Sequence, residues 1–250
     1  MALAKCHLSM KIVSYNMRGF YQGCSVIEDL IENDAPDVLM LQEHWLTPAN
    51  VSLFDLHFVK YFSFGSSAMS KSVDFGMLRG RPYGGVMILV RNELRRLTET
   101  IHCDERYVII RVANYLLVNL YLPCVGSNDR LLICDDIFMN ISAWRERYTY
   151  CKLVIAGDLN VDLEKNNDAI VSCITMFADR CCLSRLDTLF PDQSVSTYVN
   201  AALNQESRID YILSSCVDDV VKFEVVDPDI NFSDHLPLRA IIKNINDKKL

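Results

Sequence analysis

The stretch Leu153-Val154-Ile155-Ala156-Gly157-Asp158-Leu159-Asn160 constrains the fold more than any other, because it runs apolar residues straight into a carboxylate and a carboxamide. A short continuous apolar run suits a strand covered on both faces, and Gly157 frees the backbone where the chain must turn. Asp158 and Asn160 then project from a strand end, where α/β folds place their chemistry. A Gly-Asp-x-Asn string on its own is more often a turn than a site. What the other strand ends carry decides between the two.

At 250 residues, half of them hydrophobic, the chain can bury a sizeable core, and with no repeat or Pro/Gly-rich linker to divide it we expect one domain, 1–250, with its core over about 11–243. The longest apolar runs, 86–90 and 116–120, are strand-length, so no membrane span is expected. Residues 1–9 lack an export-type apolar region, and the ten scattered cysteines include no Cys-x-x-Cys pair. Both features suggest an intracellular protein whose cysteines act as reduced, buried hydrophobes, with no zinc site. The formal charge of −7 argues against broad adhesion to nucleic acid, yet Lys60, Lys71, Arg79, Arg81, Arg91, Arg95 and Arg96 cluster against only Asp74 and Glu93. Such a patch could receive phosphates.

In chain order, 11–16 reads as a strand ending at Asn16, with Arg18-Gly19 as a turn. Ser25 and Glu28 have capping-box spacing for a helix stopped by Asn33-Asp34 and Pro36. Strand 37–43 follows and ends in Glu43, which completes a β-α-β opening. Residues 57–64 read as extended and 65–82 as a long loop. Strands are expected over 83–90, 107–112, 115–122, 195–199, 208–213, 220–226 and 238–242, with Asn114 in a hairpin turn. Helices are expected from Ser127 or Asn128 to about Tyr148 and over 168–181.

The polar residues that close these strands are Asn16, Glu43, Tyr121, Asp158 and Asn160, joined by Arg208-Ile209-Asp210-Tyr211 and Ser233-Asp234-His235. Each alone could be a turn, a cap or a salt-bridged end. Together they supply what phosphodiester hydrolysis with one divalent cation requires. A hard cation such as Mg²⁺, or Mn²⁺ in its place, takes carboxylate oxygens and keeps several waters, so Glu43 could anchor it with help from Asn16 or Asp234. Asp158 held by Asn160 suits a base for the attacking water. His235 and Tyr121 can donate to the charged phosphoryl group, with Asp210 keeping the histidine protonated.

Asn16, Leu41-Gln42-Glu43, Tyr121 with Pro123, Gly157-Asp158-Leu159-Asn160, Ser207-Arg208-Ile209-Asp210-Tyr211 and Ser233-Asp234-His235 resemble the ordered motifs of the endonuclease/exonuclease/phosphatase superfamily. That resemblance implies an α/β four-layer sandwich, two mixed β-sheets packed face to face with helices outside. Glu43-His44-Trp45-Leu46, Gly80-Arg81-Pro82-Tyr83-Gly84-Gly85 and Ser196-Thr197-Tyr198 are most similar to endonuclease domains of non-LTR (LINE-type) retrotransposons. The implied roles are Glu43 for the metal, Asp158 and Asn160 for the water, and His235 with Asp210 at the scissile phosphate. Tyr121, Asn16, Thr197 and Ser233 become orienting or phosphate contacts, and Arg208, Arg79, Arg81 and Tyr198 substrate contacts.

The same resemblance implies a Mg²⁺-dependent enzyme that nicks one strand of duplex DNA and leaves a 3′-hydroxyl for a covalently linked reverse transcriptase, acting in the nucleus. A hairpin at 199–207 would probe the minor groove, although it contains no Lys or Arg. Abasic-site endonucleases typically carry an acidic residue two positions after the motif asparagine, where this chain has Arg18. Alternatives are a superfamily phosphodiesterase or phosphatase acting on abasic DNA, a nucleotide, an RNA tail or a phospholipid headgroup, and a catalytically silent scaffold.

Overall fold

The computed structural model describes residues 8–74, 76, 80–164, 168–193, 195–200 and 204–245. The first sheet contains β1 (Leu8–Asn16), β2 (Val38–Gln42), β3 (Tyr61–Ser66), β4 (Val86–Arg91), β13 (Val220–Val225) and β14 (Leu238–Ile245), in the order β13-β14-β1-β2-β4-β3. The second contains β5 (Thr98–Cys103), β6 (Tyr107–Val112), β7 (Tyr115–Tyr121), β8 (Lys152–Asp158), β9 (Ser184–Arg185) and β12 (Asp210–Ser214), in the order β5-β6-β7-β8-β12-β9. A separate ribbon pairs β10 (Tyr198–Asn200) with β11 (Gln205–Ser207). The helices are α1 (Phe20–Asp34), α2 (Leu53–His57), α3 (Ser70–Asp74), α4 (Arg130–Arg147), α5 (Ala169–Arg180) and α6 (Leu186–Leu189).

Each large sheet is mixed, with one parallel pair made by a helical crossover: β1-α1-β2 in the first and β7-α4-β8 in the second. Alternation along the strands builds three apolar layers. Met10 and Ile12 of β1 and Met40 of β2 face Ile110, Leu117, Val154 and Ala156 across the sandwich. Val13, Tyr15 and Leu39 pack outward on Phe20, Ile27 and Leu30 of α1. On the far side, Leu153 and Ile155 pack on Ile137 and Ile141 of α4 and Ile174 of α5, where Phe138 and Phe177 stack with centroids 4.4 Å apart. This is the four-layer α/β sandwich. It explains why β8 reads as an unbroken apolar run, since both its faces are covered. Each fully buried Val, Leu or Ile contributes about 1.5–3 kcal/mol.

Several boundaries differ from the sequence expectation. α1 begins at Phe20, five residues before the Ser25/Glu28 pair, because its first turn is pinned from outside: Gly19 N–H donates to the Glu43 carbonyl at 2.7 Å and Phe20 N–H to the His44 carbonyl at 2.9 Å. Residues 53–57, before the stretch expected to be extended, form α2, and His57 belongs to that helix. The expected loop 65–82 begins in β3 and contains α3, while residues 75 and 77–79 lie outside the described ones. β5 was not expected at all; as an edge strand with half-exposed residues it shows little apolar signal. Of the cysteines, Cys103, Cys124 and Cys182 are exposed instead of buried. No helix among the described residues is long and apolar enough to cross a membrane.

Candidate active site

The two crossovers end at the same place. β1 delivers Asn16 and β2 runs into Glu43, while in the second sheet Tyr121, Asp158 and Asp210 lie side by side, with Asp158 the Cα partner of both. Gly157 permits this closeness, because a Cβ there would sit 1.8 Å from the Leu120 carbonyl oxygen. Directly beneath the site, Gln42 Nε2 donates to Asn119 Oδ1 at 2.6 Å, and Asn119 Nδ2 donates to the Leu41 and Met87 carbonyls at 2.8 and 2.9 Å. This buried polar seam ties one sheet to the other. Sequence reasoning assigned neither residue a role, although a Gln and an Asn inside apolar strands were the available signal.

Asn16 bridges the halves: its Nδ2 donates to Glu43 Oε1 at 3.1 Å and to Asp158 Oδ2 at 2.9 Å. Its Oδ1 accepts from Arg18 N–H at 3.2 Å, so Asn16 positions both carboxylates through its amide nitrogen. Glu43 Oε2 accepts from Trp45 Nε1 at 3.1 Å, and Tyr121 lines the second cleft beside Glu43. Glu43 has a φ of 54°, a left-handed conformation that costs about 1–2 kcal/mol outside glycine. It is held there by its N–H to the Gly85 carbonyl at 2.9 Å and by the Trp45 N–H to the Gly84 carbonyl at 3.0 Å. Arg18, Trp45 and Asn160 share that conformation, so four of the nine described non-glycine residues with positive φ flank this one site.

Asp158 is 1% exposed. Its Oδ1 accepts from Asn160 N–H at 2.7 Å, and its Oδ2 lies 3.9 Å from His235 Nε2. The Asn160 amide donates to the Leu122 carbonyl at 2.9 Å, which fixes the turn after β8. His235 Nδ1 bonds to Asp210 Oδ2 at 2.8 Å, both residues being buried. Burial works against a charged imidazole at His235, but Asp210, then Asp158 and Asp234, outweigh it and push the pKa up to about 10. Burial, reinforced by Asp210, pushes the Asp158 carboxyl up to about 7 against the opposing pull of His235. Burial, then the charges of Glu43 and Asp158, keep the Tyr121 phenol protonated.

Two adjoining clefts open here and share Glu43 and Cys124. One, of about 610 Å³, is lined by Arg18, Asn160, Tyr198, Asp234 and His235 among others; the second, of about 620 Å³, by Trp45, Arg81, Tyr83, Arg106 and Tyr121. Tyr198 lies with its ring centroid 5.0 Å from that of His235, and Arg81 is exposed in the second cleft.

Three residues expected as orienting, phosphate or substrate contacts are engaged by the protein's own groups. Thr197 is buried, and its Oγ1 accepts the N–H groups of Ile209 and Asp210 at 3.1 Å each, which seats the start of β12. Ser233 Oγ donates to the Asn16 carbonyl at 2.7 Å and accepts from His235 N–H at 3.1 Å, so it braces the loop that carries the histidine. Arg208 is taken by Asp187 Oδ2 at 2.8 Å and the Val195 carbonyl at 3.0 Å. Arg79 lies outside the described residues, as does the 201–203 tip of the expected DNA-probing hairpin.

Two carboxylate groups could hold a metal. The ligand atoms of Asp158, Asp210 and His235 all lie within 4.8 Å of one another, but all three residues are buried and His235 Nδ1 is engaged with Asp210. Glu43 opens onto both clefts, and with Asp234 in the first it offers the hard oxygen donors that suit a divalent cation. The residues therefore fit such an ion at Glu43.

Comparison with known proteins bears on the fold and the family. A DNA-(apurinic or apyrimidinic site) endonuclease of Dictyostelium discoideum is 26% identical over 164 residues, covering 61% of this chain and 42% of that protein, so the chain spans less than half of this curated relative. Among solved structures, a 3′ phosphatase from Neisseria bound to a product DNA hairpin superposes with a TM-score of 0.70 at 20% identity, covering 92% of this chain and 98% of that one. The AP endonuclease of Leishmania major superposes at 0.73 with 16% identity, covering 94% and 88%. At those identities the structures bear on the fold alone. The sequence profile of the endonuclease/exonuclease/phosphatase family matches residues 13–235, from inside β1 to the buried histidine, and the chain belongs to that family.

Proposed function

We propose that this chain is a divalent-metal-dependent phosphodiesterase that nicks one strand of duplex DNA, as the endonucleases of non-LTR retrotransposons do, and leaves a 3′-hydroxyl for a linked reverse transcriptase in the nucleus. The observation that carries this reading is that Glu43 and His235 line one open cleft and are hydrogen-bonded or close to Asn16, Asp158 and Asp210 directly behind it. Mg²⁺, with Mn²⁺ as a substitute, is the cofactor it calls for; when bound, such an ion neutralises charge on phosphoryl and leaving oxygens.

The chain's own residues divide the remaining work. Glu43 would hold the ion, kept in place by Asn16 and Trp45. Asp158 takes the proton of the attacking water while Asn16 and the Asn160 N–H fix its two oxygens. As water adds to phosphorus, the bond to the 3′-oxygen breaks, and a 3′-hydroxyl and a 5′-phosphate result. With Nδ1 committed to Asp210, His235 presents Nε2–H to the phosphoryl oxygen, and the Tyr121 hydroxyl is a second donor.

A second reading, cleavage at abasic sites or removal of 3′-phosphates, is favoured by the names of the Dictyostelium and Neisseria relatives. Matched duplex oligonucleotides, one intact, one with an abasic site and one with a 3′-phosphate, separate the two in the presence of Mg²⁺. Internal nicking of the intact duplex at a rate comparable to the modified ones supports the first reading; a preference for a modified duplex of a hundredfold or more supports the second.

A further inference from the structure

The cleft beside His235 is short of positive charge. Glu43, Asp162, Asp168 and Asp234 line it, and of its lining residues only Arg18 carries a guanidinium or ammonium group. The neighbouring hairpin, 199–207, contributes no Lys or Arg, and His235 is committed to Asp210. Among the described residues that line this side, a phosphodiester strand meets carboxylates, and the guanidinium able to receive it is that of Arg18.

Arg18 is placed for that task. Its backbone sits at φ 48° in the turn that follows β1, anchored by its N–H to Asn16 Oδ1 at 3.2 Å and by the Gly19 N–H to the Glu43 carbonyl at 2.7 Å. The guanidinium is thus carried on the same turn that positions the two carboxylates. Its partner is Asp234, with Nη1 3.4 Å from Oδ2, longer than the usual 2.7–2.9 Å of a charge-assisted hydrogen bond, and the side chain is 48% exposed. A loose, half-exposed pair of this kind adds little stability and yields readily to a stronger anion. A phosphate offers the planar guanidinium a bidentate partner that Asp234 at this distance does not.

We propose that Arg18 is a substrate-binding residue, which exchanges Asp234 for a phosphate of the bound DNA strand on the His235 side of the cleft. This rests on the proposed DNA-nicking function and names a contact within it.

The test is duplex binding as a function of salt, with an intact oligonucleotide and protein silenced by Asp158→Asn, comparing Arg18 with Arg18→Lys, Arg18→Ala and Arg18→Asn. Asparagine tolerates the left-handed backbone at this position, so it removes the charge without depending on how alanine folds there. Loss of one phosphate contact lowers the slope of log K against log salt by about 0.9 in Arg18→Asn and Arg18→Ala. It also weakens binding roughly tenfold. Arg18→Lys retains the slope. In the active protein, Arg18→Asn raises KM while kcat stays within about twofold, the pattern of lost uniform binding. An unchanged slope and KM in Arg18→Asn, with the parent still binding and nicking DNA, overturns the role of Arg18 and leaves the proposed function standing. A parent that neither binds nor nicks duplex DNA overturns both.

Discussion

The two β-α-β crossovers carry their polar tips to one cleft but treat their carboxylates differently. Glu43, at the end of β2, opens onto both clefts and is held by neutral donors, Asn16 and Trp45. Asp158, at the end of β8, is sealed, with Asp210 and His235 as its charged neighbours. A carboxylate meant to hold a cation must be reachable and ionised. One meant to take a proton from water works best when burial brings its pKa near the working pH. On the proposed function, the same supersecondary unit used twice yields a cation anchor in one sheet and a proton acceptor in the other, and the Asn16 amide joins them.

The largest effect expected from breaking this division is on the proton-handling side. Asp158→Ala and His235→Ala should each lower nicking roughly a thousandfold while circular dichroism stays native. Comparable rates in either variant would remove that residue from the chemistry.

On the other side, Glu43→Gln should abolish the rise in melting temperature that Mg²⁺ gives the parent, since a ligand bound only by the folded state stabilises it by mass action. In Mg²⁺-free buffer the same variant should lose about 1–3 kcal/mol at most, because the amide oxygen can accept from only one of the donors Asn16 and Trp45. A retained Mg²⁺ shift in Glu43→Gln would move the cation to the buried Asp158, Asp210 and His235 group.

The pH profile sharpens the contrast further. Activity should rise as Asp158 ionises, around pH 7, and fall as His235 loses its proton, around pH 10. Because Asp210 raises both His235 and Asp158, Asp210→Asn should move both limbs downward, the alkaline one further because Asp210 also hydrogen-bonds His235. For stability without metal the sign is fixed by the raised pKa of Asp158: the unfolded carboxyl ionises near 3.8, the folded one near 7, so stability present below pH 3.8 is lost as pH rises through 7. Asp158→Asn should then raise the melting temperature more at pH 8 than at pH 5.

The smallest expected effect lies below the site. Gln42→Ala leaves Asn119 short of its buried partner, and thermal unfolding should report a loss of about 1–3 kcal/mol. No loss would mean that the polar seam does not tie the sheets.

The strand ends that form the site were legible because each is a short apolar run closed by a polar residue, and such a pattern survives in the sequence alone. Asn16, Glu43, Tyr121 and Asp158 belong to it, while Asp210 opens the apolar run of β12. The four-layer arrangement was legible only through resemblance, since nothing in strand periodicity says which strands share a sheet. Three things could not be read locally. The start of α1 depends on hydrogen bonds from Gly19 and Phe20 to the segment after β2, which is distant in sequence. The Gln42–Asn119 seam needs two sheets to meet before either residue makes sense. A polar residue beside a candidate catalytic one can face substrate or engage the protein, and in this structure Thr197, Ser233 and Arg208 hold hydrogen bonds to the protein's own groups. Motif order identifies such positions, whereas only packing decides which way they point.

The most direct test of the division between the two crossovers is relaxation of supercoiled plasmid by the parent, Asp158→Asn and Glu43→Gln across a Mg²⁺ titration. The parent should convert supercoiled to open-circular DNA with a saturable dependence on Mg²⁺. Asp158→Asn should remain inactive at every concentration while its Mg²⁺-dependent melting shift persists, and Glu43→Gln should lose both the shift and the nicking. A parent that never nicks, or an Asp158→Asn variant that nicks as fast as the parent once Mg²⁺ is saturating, would contradict it.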